Sequence, residues 1–282
     1  MIADKDTDFI YLSDLLRTKS EFSATCSRIC DILDRHGIKY DFLKGTKDIW
    51  VRDYMPIQTD KDRFVQFRYE PTYLKEYLEL QSDPKSVCEL NHIKPIFSTI
   101  NLDGGNVVKW TDKVLITDRI FSENPQYSVK ATLINEIENL LETEVIIIPQ
   151  IKSDFTGHAD GLVKLIDSKK IVGNDLNFEY KYWSNAMQKI TSDKNLEYIN
   201  MPIFEYKEKN FPDSAIGCYI NYLEIGNLII FPIFEVTGNK DKEAVDLITA
   251  LYPNKAIELI NINPVARQGG LMNCITWNIK TK

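Results

Sequence analysis

Asn106-Val-Val-Lys-Trp110, Lys113-Val-Leu-Ile-Thr117, the span from Val129 to Leu141, and Glu144-Val-Ile-Ile-Ile-Pro149 decide the fold class. The first two runs are short and rich in β-branched residues, so they predict a strand and its partner. Val129 to Leu141 carries apolar residues at helical spacing and predicts a helix. The apolar run from Glu144 to Pro149 predicts another strand. The unit is therefore two strands, a helix and a strand.

The same order recurs along the chain. Cys218-Tyr-Ile-Asn-Tyr-Leu223 and Asn227-Leu-Ile-Ile-Phe231 predict two strands, Lys240 to Leu251 a helix, and Ala256-Ile-Glu-Leu-Ile260 a further strand. Near the N-terminus, Glu21 to His36 predicts a helix stopped by Gly37 at a C-cap position, followed by the strand Ile38-Lys-Tyr-Asp-Phe42. Five residues with chemical potential keep step with this repeat, each at or near the start of a strand-like run. They are Asp53, Asp103, His158, Asn221 and Cys274, separated by 50, 55, 63 and 53 residues. A structural unit repeated at a near-constant period predicts a propeller or solenoid, with a cleft where equivalent strand starts converge. Asn177 to Phe211 is longer, aromatic and charged, and reads as an insertion or a rim over that cleft. No Gly-, Ser- or Pro-rich linker divides the chain, so residues 1–282 read as a single α/β domain.

Composition narrows the partners. A hydrophobic content of 44% supports a substantial core, and a formal charge of -7 favours cationic ligands over nucleic acid or an anionic membrane. No apolar run approaches the length of a membrane span, and the acidic N-terminus lacks a signal-peptide layout. The five cysteines, Cys26, Cys30, Cys88, Cys218 and Cys274, follow no disulfide spacing, and the three histidines complete no zinc pattern. Free thiols point to a reducing cytoplasm. Neither a metal nor a cofactor is expected, and a homo-oligomer is left open.

Each landmark has an ordinary reading when taken alone. Free cysteines are mostly small buried hydrophobes, Asp103-Gly104-Gly105-Asn106 is a common turn, and Asp53 beside Arg52 reads as half of a surface ion pair. Arg52 itself reads as structural, paired with a carboxylate. Together, the convergent positions supply one thiol, one imidazole and several carboxylates. Carboxylates gathered without a metal or phosphate suit a cation, and a guanidinium matches them best because its planar fork of N–H donors pairs bidentately. A thiolate above the guanidinium carbon could attack it, while an imidazole protonates the departing ammonia and then activates water.

Trp50-Val-Arg-Asp53-Tyr-Met-Pro56 resembles the W-x-R-D-x-x-P signature of the agmatine deiminase and bacterial peptidyl-arginine deiminase family. Asp103-Gly-Gly-Asn106, Gly157-His158-Ala-Asp160 and Gly269-Gly270 through Cys274 match its other landmarks in order. The resemblance implies a five-unit pseudo-symmetric α/β propeller (the pentein fold), in agreement with the period. It also implies Cys274 as nucleophile, His158 as general acid and base, and Asp53 and Asp160 as the grip on the guanidinium. Trp50 would wall the pocket, with Asp154, Asp103, Asn106 and Asn221 also counted among the substrate-binding positions and Asp103 bracing the site from behind. Asp154 stands where agmatine deiminases usually carry a glutamate, and Asn273 stands where they carry a histidine beside the nucleophile.

These readings converge on a cytoplasmic, cofactor-free guanidine deiminase acting on a small cationic substrate, with agmatine converted to N-carbamoylputrescine and ammonia through a covalent amidino-cysteine. The alternatives are peptidyl-arginine, free arginine or methylated arginine as substrate, an amidinotransferase, and a non-catalytic guanidinium-binding relative. Free arginine needs a cation for its α-carboxylate, and Arg267 is the candidate to supply one.

Overall fold

The repeat is realised five times. The computed structural model describes residues 1–282 as five three-stranded sheets, one per unit. The first unit holds β1 (Phe9–Ser13), α1 (Ser20–Arg35) and β2 (Lys39–Leu43), and the second β3 (Ile57–Asp60), β4 (Arg63–Arg68), α2 (Pro84–Leu90) and β5 (Ile96–Asn101). The third holds β6 (Val108–Lys109), β7 (Lys113–Thr117), α3 (Lys130–Leu141) and β8 (Glu144–Ile148). The fourth holds β9 (Val163–Leu165), β10 (Lys170–Asn174), α4 (Lys181–Asp193) and β11 (Glu197–Met201). The fifth holds β12 (Leu223–Ile225), β13 (Leu228–Ile233), α5 (Asp241–Leu251) and β14 (Ala256–Asn261), and β15 (Trp277–Ile279) returns to the first sheet.

In every sheet the middle strand pairs antiparallel with one neighbour and parallel with the other. The helix lies between the two parallel strands in sequence, because a parallel pair needs a long crossover. Helix α1 shows how sequence fixes such an element. Phe22, Cys26, Ile29 and Leu33 recur at helical spacing and are buried, and Gly37 follows with φ 63°, a left-handed stop. β15 pairs antiparallel with β1, matching Ile279 to Phe9 and Trp277 to Tyr11, so the last strand closes the ring onto the first. Apolar side chains cover both faces of β1: Ile10 and Leu12 belong to the buried cluster of Ile229, Phe231, Ile260 and Leu271, while Phe9 and Tyr11 pack against the cluster that holds Trp277 and Ile279 of β15. Each fully buried side chain among them contributes about 1.5–3 kcal/mol by leaving water.

Three sequence expectations shift. The strands predicted over 106–110 and 218–223 are shorter, beginning at Val108 and Leu223. The residues before them turn away from the sheet so that their side chains can face the centre. Asp160 likewise lies off the strands, in the single turn Ala159–Gly161 that precedes β9. Most of 177–211 is no insertion, since it contains the regular helix α4 and strand β11 of its unit. Trp183 is fully buried there and its indole N–H donates to Pro149 O, whereas Phe178, Tyr180 and Tyr182 are exposed.

No helix is long and apolar enough to cross a membrane.

Candidate active site

The chemistry-bearing residues occupy equivalent places: each lies in the turn just before the strand that opens a three-stranded sheet. Asp53 is on a short helix, Val51–Tyr54, ahead of β3, and Asp103 precedes the turn Gly104–Asn106 ahead of β6. His158 and Asp160 precede β9, Asn221 precedes β12, and Cys274 precedes β15. These turns meet at one end of the ring and wall a cavity of about 480 Å³. Trp50, Asp53, Asp154, His158, Asp160, Asn221 and Cys274 all lie on that wall.

Two of the expected substrate-binding positions do not. Asp103 stands behind the imidazole, where its Oδ2 accepts from His158 Nε2 at 2.8 Å and from the Tyr73 hydroxyl at 2.9 Å. Asn106 is buried with its Oδ1 accepting the Thr117 N–H at 3.0 Å, which ties the turn to β7. Both therefore brace the site rather than line it.

Asp53 approaches the other ring nitrogen, with Oδ1 3.6 Å from His158 Nδ1, and is itself held by the Gly105 N–H at 3.2 Å. The imidazole is thus clasped between two carboxylates. Burial alone would strip its proton, but Asp53, the hydrogen bond to Asp103, and Asp160 outweigh burial and push its pKa up to about 10. Burial raises the carboxyl of Asp53 well above its ordinary value, with the His158 charge opposing and Asp103 and Asp160 adding to the rise. Asp160 is likewise raised by burial, against the pull of His158 and of the Asn273 amide, which donates to its Oδ2 at 2.7 Å.

Cys274 Sγ lies 3.4 Å from Asn221 Oδ1 and 3.9 Å from Asp160 Oδ2. Asn221 Oδ1 also accepts the N–H groups of Asn273 at 3.0 Å and Cys274 at 3.3 Å, so it fixes the turn that carries the thiol. Burial, then Asp160 and Asp53, raise the thiol pKa well above its ordinary value. A cation entering between these groups reverses that effect, since it stabilises the thiolate and both carboxylates. The Gly269-Gly270 pair makes this turn possible. A Cβ at Gly270 would come within 2.4 Å of the Trp50 ring, so only glycine lets Trp50 pack against the turn.

Arg52 is structural as expected, though its partners are not carboxylates. Its Nε donates to Asn273 O at 3.2 Å and its Nη2 to Asn278 Oδ1 at 2.6 Å, while its backbone N–H donates to Cys274 O at 3.1 Å. Sequence reasoning missed Asp48 and Tyr73, and it singled out Asn273 without foreseeing its hold on Asp160. Asp48 lines the cavity, caps the Trp50 N–H at 2.8 Å, and is pushed up to about 7 by burial. Its position two residues before Trp50 was the available signal, because Asp bonds the backbone two residues on in an Asx turn. Tyr73 lies in an irregular segment with no periodicity to place it.

No group of three or more His, Cys, Asp and Glu side chains comes together as a metal site.

A family profile, that of the Porphyromonas-type peptidyl-arginine deiminases, matches residues 16–279. The chain belongs to this family. Among curated relatives, "Putative agmatine deiminase 2" of Listeria monocytogenes is 36% identical over 70 residues, covering 25% of this chain and 18% of that one. "Putative agmatine deiminase" of Photobacterium profundum is 24% identical over 213 residues, covering 64% of this chain and 56% of that one. These matches therefore span less than two thirds of the relatives' own length. The C. jejuni agmatine deiminase structure superposes with a TM-score of 0.77 at 17% identity, covering 100% of this chain and 95% of the other. That likeness carries the five-unit propeller fold of the family.

Within this family member, the clasped imidazole yields a testable pH dependence. With the thiol raised, kcat/KM should climb through the alkaline range and fall again near pH 10, as His158 loses its proton. Asp103→Asn removes a negative charge that favours the imidazolium, so the His158 pKa drops. The descending limb should then move acidward by about 1–3 units. An unmoved limb would remove Asp103 from this role.

Proposed function

We propose that this protein hydrolyses the guanidino group of agmatine, releasing ammonia and N-carbamoylputrescine. The reading rests above all on the charge of the cavity wall. It carries Asp48, Asp53, Asp154, Asp160, Glu179 and Asp213, and no lysine or arginine. A guanidine with a second cationic end suits such a wall, whereas the α-carboxylate of free arginine would find no counter-charge there. Arg267 does not supply one, because its Nε pairs with Glu208 at 2.8 Å and its guanidinium lies over the Phe211 ring. Arg119 is tied to Glu123 at 3.1 Å, and Arg52 is turned to Asn273 O and Asn278 Oδ1.

The proposed chemistry follows the positions of the groups. Asp53 and Asp160 hold the guanidinium N–H groups, and the thiolate of Cys274 adds to the central carbon. The tetrahedral adduct collapses by breaking one C–N bond, and His158 protonates the nitrogen that leaves as ammonia. An amidino group then remains on sulfur. Water attacks its carbon, gives a proton to His158 and expels the thiolate, leaving a carbamoyl product and the free enzyme.

Ammonia release from agmatine, arginine, dimethylarginine and an arginine peptide tests the reading. Turnover of agmatine in preference to arginine supports it, and preference for arginine would sink it. A roomy cavity of about 480 Å³ favours peptidyl-arginine as the second substrate, and the peptide arm of the panel decides that. Arg267→Ala should leave kcat/KM for agmatine within about fivefold, since a partly exposed ion pair contributes roughly 0–1 kcal/mol. A large loss would reinstate Arg267 as a substrate contact.

A further inference from the structure

Behind the active site, the five sheet-opening strands line the axis of the ring, and the second residue of each is polar or charged. These are Gln58, Lys109, Lys164, Glu224 and Asn278. None of them lines the substrate cavity, nor does Asp4, whose carboxylate sits among them. Asp4 Oδ1 is 3.1 Å from Lys109 Nζ and accepts the Asn278 amide at 3.2 Å, and its Oδ2 is 3.2 Å from Lys164 Nζ. Burial opposes the charge on Asp4, but Lys109, Lys164 and Arg52 lower its pKa far below the usual range. A small cavity of about 20 Å³ has both Asp4 and the substrate-facing Asp160 on its wall.

A continuous set of contacts leads from this carboxylate to the nucleophile. Asn278 bonds Asp4 through its amide nitrogen and Arg52 through its amide oxygen. Arg52 in turn holds the carbonyls of Asn273 and Cys274. Asn273 holds Asp160.

We propose that Asp4 is a positioning residue for the reaction: it neutralises the axial cations and, through Asn278 and Arg52, fixes the turn bearing Asn273 and Cys274. The charge balance gives the reason. Around Asp4 stand Lys109 from β6, Lys164 from β9, Arg52 from the short helix, and Glu224 from β12, with Tyr222 and Tyr252 nearby. Glu224 is already paired with Lys255 at 2.6 Å. Without Asp4, Lys109, Lys164 and Arg52 would be left with Glu224, which already faces Lys164, and with Asp160, which already feels the charge of Arg52. These cations would draw Asp160 away from the cavity and favour the thiolate of Cys274, around which Asp160, Asp53 and His158 set the local charge.

This inference concerns the same site as the proposed deiminase reaction, but its test needs no turnover. The pH dependence of Cys274 alkylation by iodoacetamide is followed on the Cys274 peptide by mass spectrometry, so that Cys30 and the other thiols do not contribute. Asp4→Asn should lower the midpoint by about one unit or more, since an uncompensated cation favours the thiolate. Lys109→Met, which leaves the acid in excess, should raise it, and Asp4→Glu should restore the parent value. In the deiminase assay, Asp4→Asn should raise KM for a cationic guanidine about tenfold or more, because Asp160 is diverted. Unchanged midpoints in both Asp4→Asn and Lys109→Met would overturn the proposal, even if melting temperatures fell. If Asp4→Asn does not fold, the sign of the Lys109→Met shift decides alone. Should no guanidine be turned over by the parent protein, the deiminase reading fails while the midpoints still judge Asp4.

Discussion

Cys274→Ala should abolish ammonia release, by a factor of about 10⁴ or more, while agmatine still raises the melting temperature. The expectation follows from what the variant removes and what it leaves. In the proposed reaction the thiol is the group that bonds to the guanidinium carbon, and it lies 3.4 Å from Asn221 and 3.9 Å from Asp160. No neighbouring side chain can take over, because Asp160 and Asp53 are held for ion pairing and Asn221 is not a nucleophile. Losing a covalent nucleophile costs as much as losing the whole catalytic unit, since the remaining groups have nothing to act on. Binding should persist because the carboxylates do not depend on sulfur for their positions: Asp53 is held by Gly105 and Asp160 by Asn273. Residual turnover above about 1% of the parent would mean that water attacks the guanidinium carbon directly, with the cysteine as a bystander.

Gly105→Ala should be nearly as damaging, although residue 105 touches no substrate. A Cβ there would lie 2.5 Å from Asp53 Oδ1 and 2.6 Å from His158 Nδ1, closer than non-bonded atoms approach. Neither neighbour can swing clear at small cost. Asp53 accepts the residue's own N–H, and His158 is anchored on its far side by Asp103. The added methyl must therefore part the acid from the imidazole. We expect a fall in kcat of about 10²–10³, consistent with misplacement by about 1 Å. Stability should drop by only about 1–3 kcal/mol, the usual range for overpacking. The split between the two readouts is the test, because a variant that loses activity only in proportion to its unfolded fraction would show that the clasp is not catalytic.

Much of this architecture was legible in the sequence. The landmark spacing and the recurring strand–strand–helix–strand order come from side-chain periodicity, a local property that survives in a single chain. Helices α1, α3 and α5 fall within a residue or two of their expected limits for that reason. What escaped was non-local. β1 has no flanking turn signature and becomes a strand only because β15 and β2 pair with it from far away in sequence. Asp103 braces the site from behind as expected, but counting Asn106 with the substrate-binding positions failed because register along the chain says where a residue lies but not how deep. Asn106 is turned inward to the Thr117 N–H, and only the packed turns reveal that layer. Tyr73 was unreadable because it depends on an irregular stretch folded over Asp103, and Asp4 because its partners lie on two other units.

The pairing of β1 with β15 also governs timing. Joining Phe9 to Ile279 closes a loop of nearly the whole chain, the kind of contact that carries a high entropic cost and forms late. Cys274 sits three residues before the strand that makes this closure. A chain in which β15 is undocked is expected to hold the sulfur apart from Asn221 and Asp160, so that Cys274 should alkylate there as an ordinary thiol. The ring thus works as its own safety catch: a half-assembled molecule, however much of its sheet structure has formed, has a cysteine but no chemistry.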